Sequence, residues 1–310
     1  MSVFSIFHVS EILKRLGSNQ IPVIIGPTSI GKTSLALEIS EKLDAEIVSI
    51  DSRQIYKNFR IGTGQPSKQE LNQIKHYLID EIPSSQIITA FKYIKMVESI
   101  ITNAKKRIVI VCGSLLYLNC LIEGLINIPS SSKSLKRKIE QKVIREGKKE
   151  SYKKLTEIDK IYSSKIHVND IKKIVRAYEI IELTSMAPSK AYKEFKETFD
   201  HICNNFFIIK LISTNNSIKN NILFRINEMF KNGWIDEVIN LLNNGVHINS
   251  HPMQSIGYKQ IAELLRIYGN APIENTKDLK DTILKETWNF AKKQKTWMNN
   301  FEQNYMLEVE

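Results

Sequence analysis

The chain has 310 residues, of which 44 are Lys or Arg and 33 are Asp or Glu, so its formal net charge is +11. A hydrophobic fraction of 42% and a charged fraction of 25% exclude a wholly disordered chain and a disulfide-stapled miniprotein. No run of residues is apolar over the length that a membrane span needs, so no membrane partner is expected. The 3 cysteines are widely spaced and fit no zinc or redox pattern, which predicts reduced thiols in a cytoplasmic protein.

The predicted elements alternate between helices and short β-branched strands. An amphipathic helix near the N-terminus precedes a strand at residues 23–25 and a helix at 33–43. Further strands are predicted at 46–50, 107–111 and 206–211, with a helix at 91–104, and the residues beyond 215 are predicted mostly helical. Strands that alternate with helices are typical of a parallel sheet flanked by helices. We therefore predict an α/β fold.

The excess positive charge is concentrated in one part of the chain. Residues 130–200 contain 18 Lys or Arg and 11 Asp or Glu, a net charge of +7. This stretch follows a predicted linker at 128–132, and the spacing of Leu135, Ile139 and Val143 predicts a helix. We expect a helical insertion at 130–199 within a core formed by 1–129 and 200–310. Its charge is explained either by a solvated helical face or by binding of a polyanion.

The segment after the first predicted strand matches the phosphate-binding pattern G-x-x-x-x-G-K-[ST] at every defined position. It comprises Gly26, Pro27, Thr28, Ser29, Ile30, Gly31, Lys32 and Thr33. The glycines allow close approach of backbone N–H groups to phosphate oxygens, and the following helix adds its positive dipole. Lys32 supplies a cation and Thr33 a hydroxyl suited to Mg²⁺. We predict a P-loop NTPase-like core with a phosphate or diphosphate site and Mg²⁺ as cofactor; the rest of the ligand stays open.

Asp51 follows the second predicted strand, at the edge of the sheet where ligands of parallel α/β folds bind. Three roles are open for it from position alone. It is a general base, a magnesium ligand or the cap of a helix.

Taken together, these motifs resemble those of the tRNA dimethylallyltransferases, also called tRNA isopentenyltransferases. The similarity rests on an ordered set of segments that covers most of the chain, from about residue 21 to 298. Besides the phosphate loop, the set consists of DSRQIY at 51–56, IGTGQP at 61–66, HYLID at 76–80, CGSLLYL at 112–118, IHVND at 166–170 with RAYE at 176–179, QSIGY at 254–258 and AKKQKTW at 291–297.

The resemblance implies transfer of a dimethylallyl group from dimethylallyl diphosphate to N6 of the adenosine 3′-adjacent to the anticodon, position 37, in tRNAs that read codons beginning with U. The phosphate loop then binds the diphosphate leaving group. Asp51 would be the base, while Thr33 with Mg²⁺ and Arg225 would stabilise the departing charge. Without the resemblance, Arg225 is more simply a surface arginine on an amphipathic helix. The family also suggests a monomer.

The resemblance further implies that the partner is a tRNA anticodon stem-loop, held by the basic insertion. The residues that would contact it are Asp51, Ser52, Arg53, Gln54, Ser114, Lys136, Lys172, Lys173, Ile174, Val175, Arg176, Gln254, Ser255, Ile256, Gly257, Tyr258 and Lys259. Trp234 and Trp297 are interpreted as core residues rather than as platforms for stacked bases.

Several functional positions depart from the family pattern. Asn221 replaces an arginine, Gln65 a lysine, Cys112 a glycine and Ser114 a threonine, and Trp288 begins a pair that replaces Arg-Gln. These changes suggest lower activity or an altered choice of RNA. The alternatives are prenylation of free adenine nucleotides, a P-loop small-molecule kinase and a non-catalytic RNA-binding protein.

If the basic segment neutralises RNA phosphates, affinity for an anticodon stem-loop will fall steeply with salt, because each neutralised phosphate releases a counterion. We expect a loss of about tenfold or more between roughly 50 and 200 mM salt. Fluorescence anisotropy with a labelled stem-loop measures it, and an affinity independent of salt would contradict the clamp.

Overall fold

A computed structural model describes residues 6–129, 131–268 and 276–309. The chain divides into two compact units, one formed by Met1–Asn119 with Asp200–Glu310 and the other by Cys120–Phe199. Ser130 of the predicted linker lies outside the described residues. The helices and strands of both units are numbered here in chain order.

The described residues contain eight strands. They are β1 (Ile21–Ile25), β2 (Glu46–Ile50), β3 (His76–Tyr77), β4 (Ile108–Cys112), β5 (Leu125–Ile126), β6 (Lys196–Glu197), β7 (Phe206–Ile212) and β8 (Tyr305–Glu308). The helices of the same residues are α1 (Ile6–Arg15), α2 (Lys32–Leu43), α3 (Lys68–Gln73), α4 (Ala90–Thr102), α5 (Leu115–Glu123), α6 (Lys133–Glu146), α7 (Lys148–Ile158), α8 (Lys160–Ser163), α9 (Ile171–Thr184), α10 (Pro188–Phe195), α11 (Asp200–Cys203), α12 (Asn215–Lys231), α13 (Trp234–Asn243), α14 (Tyr258–Tyr268) and α15 (Lys277–Met298).

The first unit is built on a six-stranded sheet in the order β3-β2-β4-β1-β7-β8. All neighbouring strands are parallel, and β1 lies between β4 and β7. The middle strands are continuous runs of buried β-branched residues, as expected for a parallel sheet that is covered on both faces. The predicted α/β fold and its four predicted strands are confirmed.

Two strands of this sheet were not predicted from the sequence. β3 has only two residues, and β8 lies in a region that was predicted mostly helical. β8 pairs with β7 and alternates buried Tyr305 and Leu307 with exposed residues. Asn304 fixes its start, because its side-chain oxygen accepts from the Ile208 N–H and its own N–H donates to the Ile208 carbonyl.

Helices α1 and α2 cover part of the sheet with apolar side chains. Val9 and Ile12 of α1 and Leu35 and Ile39 of α2 are buried in one cluster with residues of β1, β2, β4, β7 and β8. The N-terminal amphipathic helix is thereby confirmed, and its apolar face is part of the core. No helix within the described ranges is long and apolar enough to cross a membrane.

The second unit is mainly helical and contains the short antiparallel pair β5–β6. Ile139 and Val143 of α6 are buried against Ile174 and Val175 of α9. The four-residue spacing that predicted α6 therefore marks its buried stripe, and the basic residues between these positions lie on its other faces.

Trp234 is the largest fully buried side chain of the described residues and lies in the first unit. A Cβ atom on Gly62 or on Gly257 would overlap its indole ring. Gly257 also has a φ of +91°, which residues with a Cβ rarely adopt. The interpretation of Trp234 as a core residue is confirmed.

Replacing Gly257 by Ala should lower the free energy of unfolding by about 2–4 kcal/mol, because it combines the strain of a positive φ with overlap of the indole. Gly245→Ala is the matched control, since Gly245 has a φ of +79° but no atom within 4 Å of the added Cβ. The control should lose only about 1 kcal/mol. Urea unfolding followed by far-UV circular dichroism measures both, and equal losses would contradict the close packing on Trp234.

Candidate active site

A cavity of about 550 Å³ lies in the first unit at the carboxyl edge of the sheet. The loops after β1, β2 and β4 form one side of it, and helices α12 and α15 form another. Its lining includes Thr28, Ser29, Asp51, Ser52, Arg53, Gly113, Ser114, Leu116, Arg225, Met229, Gln254, Ser255, Ile256, Phe290, Gln294 and Trp297.

The phosphate loop joins β1 to α2 through two left-handed residues. Ser29 has a φ of +62° and Gly31, the N-cap of α2, a φ of +95°. A Cβ on Gly26 would lie 2.8 Å from Ile30 Cγ2, so the loop is closed tightly on itself. The ammonium of Lys32 donates to the carbonyl oxygens of Gly26 and Pro27, both at 2.9 Å. The segment therefore curves back on itself, in the way that directs several backbone N–H groups toward one anion.

The electrostatic surroundings of Lys32 favour an anionic ligand. The pKa of Lys32 is lowered to about 8, mainly by burial and also by nearby Arg225, whereas the Asp51 carboxylate opposes the shift. Burial also raises the pKa of the Cys112 thiol to about 12, so this residue stays neutral at physiological pH. A bound diphosphate would restore the full charge of the lysine.

The two carboxylate oxygens of Asp51 have different surroundings. Oδ1 accepts the backbone N–H groups of Arg53 at 2.8 Å and Gln54 at 3.3 Å, so Asp51 caps a turn at residues 52–55 and is not the helix cap that the sequence left open. Oδ2 makes no hydrogen bond within the described part of the chain and lies against Gly113, where a Cβ would overlap it. The buried hydroxyl of Tyr93 fixes the backbone here by donating to the Ser49 carbonyl at 2.7 Å and accepting from the Asp51 N–H at 3.1 Å. One oxygen is thus anchored and the other faces the site.

Arg225 of α12 lies beside the phosphate loop and not on an exposed helix face. Its Nη1 donates to the Thr28 hydroxyl at 3.4 Å, and Gly64 leaves the space that Nη2 occupies. Burial lowers the pKa of the guanidinium, and the Asp51 carboxylate opposes that shift. The simpler interpretation, a surface arginine on an amphipathic helix, is wrong because the side chain is half-buried, lines the cavity and donates to Thr28.

The donor set suits a Mg²⁺ ion that arrives with a phosphate ligand. The hydroxyl of Thr33 makes no hydrogen bond to any described residue, so it is available as a ligand. No group of three or more His, Cys, Asp or Glu side chains that could hold a metal occurs in the described ranges. Mg²⁺ commonly takes one or two protein oxygens and completes its octahedron with phosphate and water oxygens. Thr33 together with a diphosphate fits that pattern.

Most of the residues predicted to contact RNA in the first unit line the cavity. Ser52, Arg53, Ser114, Gln254, Ser255 and Ile256 do so together with Asp51. Gln54 instead supports the site from behind, because its side-chain amide donates to the carbonyl oxygens of Thr63 and Gly64. Lys259 is exposed at the start of α14.

Four of the predicted RNA contacts are buried. The side chains of Ile174 and Val175 are 0% and 4% exposed in the core of the second unit, so they cannot reach RNA. Tyr258 is fully buried against Trp234 and its hydroxyl donates to Glu237, and it supports the turn that begins at Arg60. The neighbouring Gly257 is also buried, for the packing reason given above.

The cationic members of the predicted contact set are accessible. Lys136, Lys172 and Lys173 are exposed on helices α6 and α9 of the second unit. Arg176 is half-buried and forms an ion pair with Glu179 at 3.0 Å. Helix periodicity separates these residues from the buried positions of the same segment.

The departures from the family pattern have local structural consequences. Gln65 donates to the backbone carbonyls of Gln54 and Tyr56 at 2.7 and 3.2 Å, so it cross-links the loop after β2. Ser114 keeps a hydroxyl, which accepts from the Ser52 N–H at 3.0 Å. Trp288 lies beneath the ammonium of Lys292, 5.8 Å from its ring centre. Asn221 is half-buried on α12 with no feature that explains the substitution.

Sequence reasoning missed the structural role of several polar side chains. Gln294 of α15 is buried and bonds to both the phosphate loop and the Gly113 turn. Glu237 accepts the N–H groups of Arg60 and Ile61 as well as the Tyr258 hydroxyl. Trp297 was interpreted as a core residue, which is wrong, because it is 38% exposed and lines the cavity. A polar residue inside the apolar stripe of a predicted helix, such as Gln294, is the signal that could have found one of them.

Comparison with known proteins gives consistent matches over nearly the whole chain. A family model described as IPP transferase matches residues 54–301. The tRNA dimethylallyltransferase of Acetivibrio thermocellus is 33% identical over 290 residues, covering 92% of this chain and 90% of that protein. That of Dictyoglomus turgidum is 35% identical over 296 residues, covering 93% and 86%.

Solved structures agree with the sequence matches. The tRNA isopentenylpyrophosphate transferase of Bacillus halodurans is 26% identical with a TM-score of 0.62, covering 94% of this chain and 90% of that one. A eukaryotic dimethylallyltransferase that acts on tRNA has a TM-score of 0.73 at 21% identity over 93% of this chain and 73% of its own, and so has the same fold.

Binding of inorganic diphosphate at pH 8 should take up about half a proton through Lys32, whose pKa of about 8 rises when the anion binds. The affinity for diphosphate is therefore highest below pH 8, where Lys32 is already protonated, and falls as the pH rises above 8. Isothermal titration in two buffers of different ionisation enthalpy measures the uptake. Lys32→Arg should lack this component, because a guanidinium stays protonated. Equal uptake by both proteins would contradict the assignment.

Proposed function

This chain belongs to the IPP transferase family, and from that premise we propose that it transfers a dimethylallyl group from dimethylallyl diphosphate to tRNA. The acceptor is N6 of the adenosine 3′-adjacent to the anticodon, position 37, in tRNAs that read codons beginning with U. The observation that carries the proposal is that Asp51 and Arg225 line one cavity together with Thr28 and Ser29 of the phosphate loop. Lys32 of the same loop lies close enough to both charged groups for them to affect its pKa.

Asp51 acts as the base. An exocyclic amine is a weak nucleophile, because its lone pair is delocalised into the ring, and it becomes reactive as it loses a proton. The proton passes from N6 to Oδ2 of Asp51, while the N6–C1 bond forms and the C1–O bond to diphosphate breaks. The hydrogen bonds from Arg53 and Gln54 to Oδ1 keep the other oxygen directed at the site. A positioned base of this kind contributes about 10²–10⁴-fold.

The phosphate loop and Arg225 stabilise the diphosphate that leaves. Negative charge on the bridging oxygen grows as the C1–O bond breaks, and cations already in place lower the energy of that state without reorganisation. Lys32 and the loop N–H groups belong to the phosphate loop, and Arg225 of α12 contacts the same loop through its hydrogen bond to Thr28. Mg²⁺, held by the Thr33 hydroxyl, supplies further positive charge at the diphosphate when it is bound.

The apolar part of the cavity suits the dimethylallyl chain. Leu116, Met229, Ile256 and Phe290 lie on the lining near the charged groups. Apolar walls bind a short hydrocarbon and limit access of water, which would otherwise hydrolyse the reactive allylic centre.

The RNA loop is a suitable acceptor in physical terms. A base in an anticodon loop is already unpaired, so turning it into the cavity costs only a few kcal/mol. Lys136, Lys172 and Lys173 of the second unit would neutralise RNA phosphates. We assign the protein to the cytoplasm, where its tRNA substrate is found. We also propose that it acts as a monomer.

A direct assay tests this function. Purified protein, Mg²⁺ and labelled dimethylallyl diphosphate are incubated with an anticodon stem-loop that contains three consecutive adenosines, and separately with adenosine monophosphate. Label in the RNA is the expected result. Label on the free nucleotide alone would establish nucleotide prenylation, and phosphate transfer from ATP without prenyl transfer would establish a kinase; either result overturns the proposal.

Asp51→Asn should lower kcat for prenyl transfer by about 10²-fold or more, because the amide keeps the acceptor for Arg53 and Gln54 but cannot take the proton. Stem-loop affinity should stay within about threefold, a small change on the scale of one lost contact. Asp44→Asn is the charge-matched control at an exposed left-handed position, where asparagine is well tolerated. Single-turnover assays of both variants are compared, and normal turnover by Asp51→Asn would remove this residue as the base.

A further inference from the structure

Gln294 bridges two loops that carry the reactive groups of the cavity. Its Oε1 accepts the N–H of Thr28 at 2.9 Å, and its Nε2 donates to the carbonyl of Gly113 at 3.0 Å. A backbone N–H only donates and a carbonyl only accepts, so these two partners determine the orientation of the amide. The side chain is 5% exposed, and both bonds are therefore shielded from water.

The two loops lie directly against the groups assigned to catalysis. Thr28 accepts a hydrogen bond from Arg225, so its position affects the placement of the guanidinium. Gly113 lies against Oδ2 of Asp51, where even a methyl group would not fit. One amide therefore connects the neighbour of the cation to the neighbour of the base.

The bridge has a rigid support. Gln294 lies in the middle of the C-terminal half of α15, a helix of 22 residues, and buried Ala291 and Met298 flank it one turn away on either side. The helix is packed against α12, which carries Arg225. A short polar side chain on such an element transmits position more faithfully than a side chain on a loop.

We propose that Gln294 is a positioning residue, which holds the phosphate loop and the Gly113 turn at the separation that transfer from diphosphate to Asp51-activated N6 needs. The inference rests on the proposed function. It adds that prenyl transfer requires both hydrogen bonds of the amide at once. If the side chain only filled space, neither hydrogen bond would be required.

Gln294→Glu and Gln294→Met separate hydrogen bonding from volume. A neutral glutamic acid accepts from Thr28 with one oxygen and donates to Gly113 with the other, whereas the ionised form cannot donate. Burial raises the pKa of such a carboxyl group, so the neutral form becomes populated as the pH is lowered. Methionine has a similar volume but neither hydrogen bond. Gln303→Glu, at an exposed position after α15, is the control for added charge.

Prenyl transfer to the stem-loop is measured for each variant as a ratio to the native protein at pH 5.5 to 9, with circular dichroism melts in parallel. Lys32, Cys112 and Arg225 are present in native and variant proteins alike, so their contributions to the pH dependence largely cancel in the ratio. We expect kcat of Gln294→Glu to be reduced about tenfold or more at high pH and to recover as the pH falls. A tenfold reduction corresponds to about 1.4 kcal/mol in activation free energy. Gln294→Met should stay low throughout, and Gln303→Glu should stay near the native value.

The outcomes separate the inference from the function on which it rests. If the native protein transfers no label, the proposed function fails whatever the variants do. If the native protein is active and Gln294→Met retains its kcat, or the Gln294→Glu ratio does not change with pH, the positioning role is overturned. Loss of folding in both variants, seen in the melts, would assign Gln294 to stability and likewise overturn it.

Discussion

The register of three parallel strands is the constraint on which the site depends. Cys112, the last residue of β4, pairs with Ile25 at the end of β1 and with Ile50 at the end of β2. The next residues along the chain, Gly26, Asp51 and Gly113, therefore leave the sheet side by side. Adjacent strands lie about 4.8 Å apart, so the phosphate loop and Asp51 begin about 10 Å from each other. That span suits a diphosphate, a short hydrocarbon and the edge of a base placed between them.

Charge and packing complete what the register begins. Lys32 and Arg225 are both half-buried, so their charges lose part of their hydration and an anion that binds beside them is stabilised more than it would be at the surface. The close turns at Gly64 and Gly113 give the guanidinium and the carboxylate their space, and Trp234 holds the turn near Gly62 from beneath. A single substitution in this packing would move a charged group without touching it.

The sequence predicted the local parts of this arrangement well. The β-branched runs and the loop pattern located β1, β2, β4 and β7 and the phosphate site, because these signals reside in neighbouring residues. It did not predict β8, a strand of only four residues, two of which are exposed. It also did not predict the bridge by Gln294, whose partner Thr28 lies 266 positions away in the sequence. Extending the RNA contacts over every residue from 172 to 176 ignored the helical period, which buries Ile174 and Val175. Arg225 needed the resemblance to known proteins, since its own segment is typical of a surface helix.

The position of α15 along the chain has a consequence for biosynthesis. The phosphate loop and Asp51 are translated early, whereas the wall that carries Phe290, Gln294 and Trp297 is translated after the rest of the cavity lining. A nascent chain can thus form the strands that present its charged groups before the helix that encloses them exists. The wall that α15 supplies is translated last of the cavity lining, so the cavity is complete only after this helix has docked.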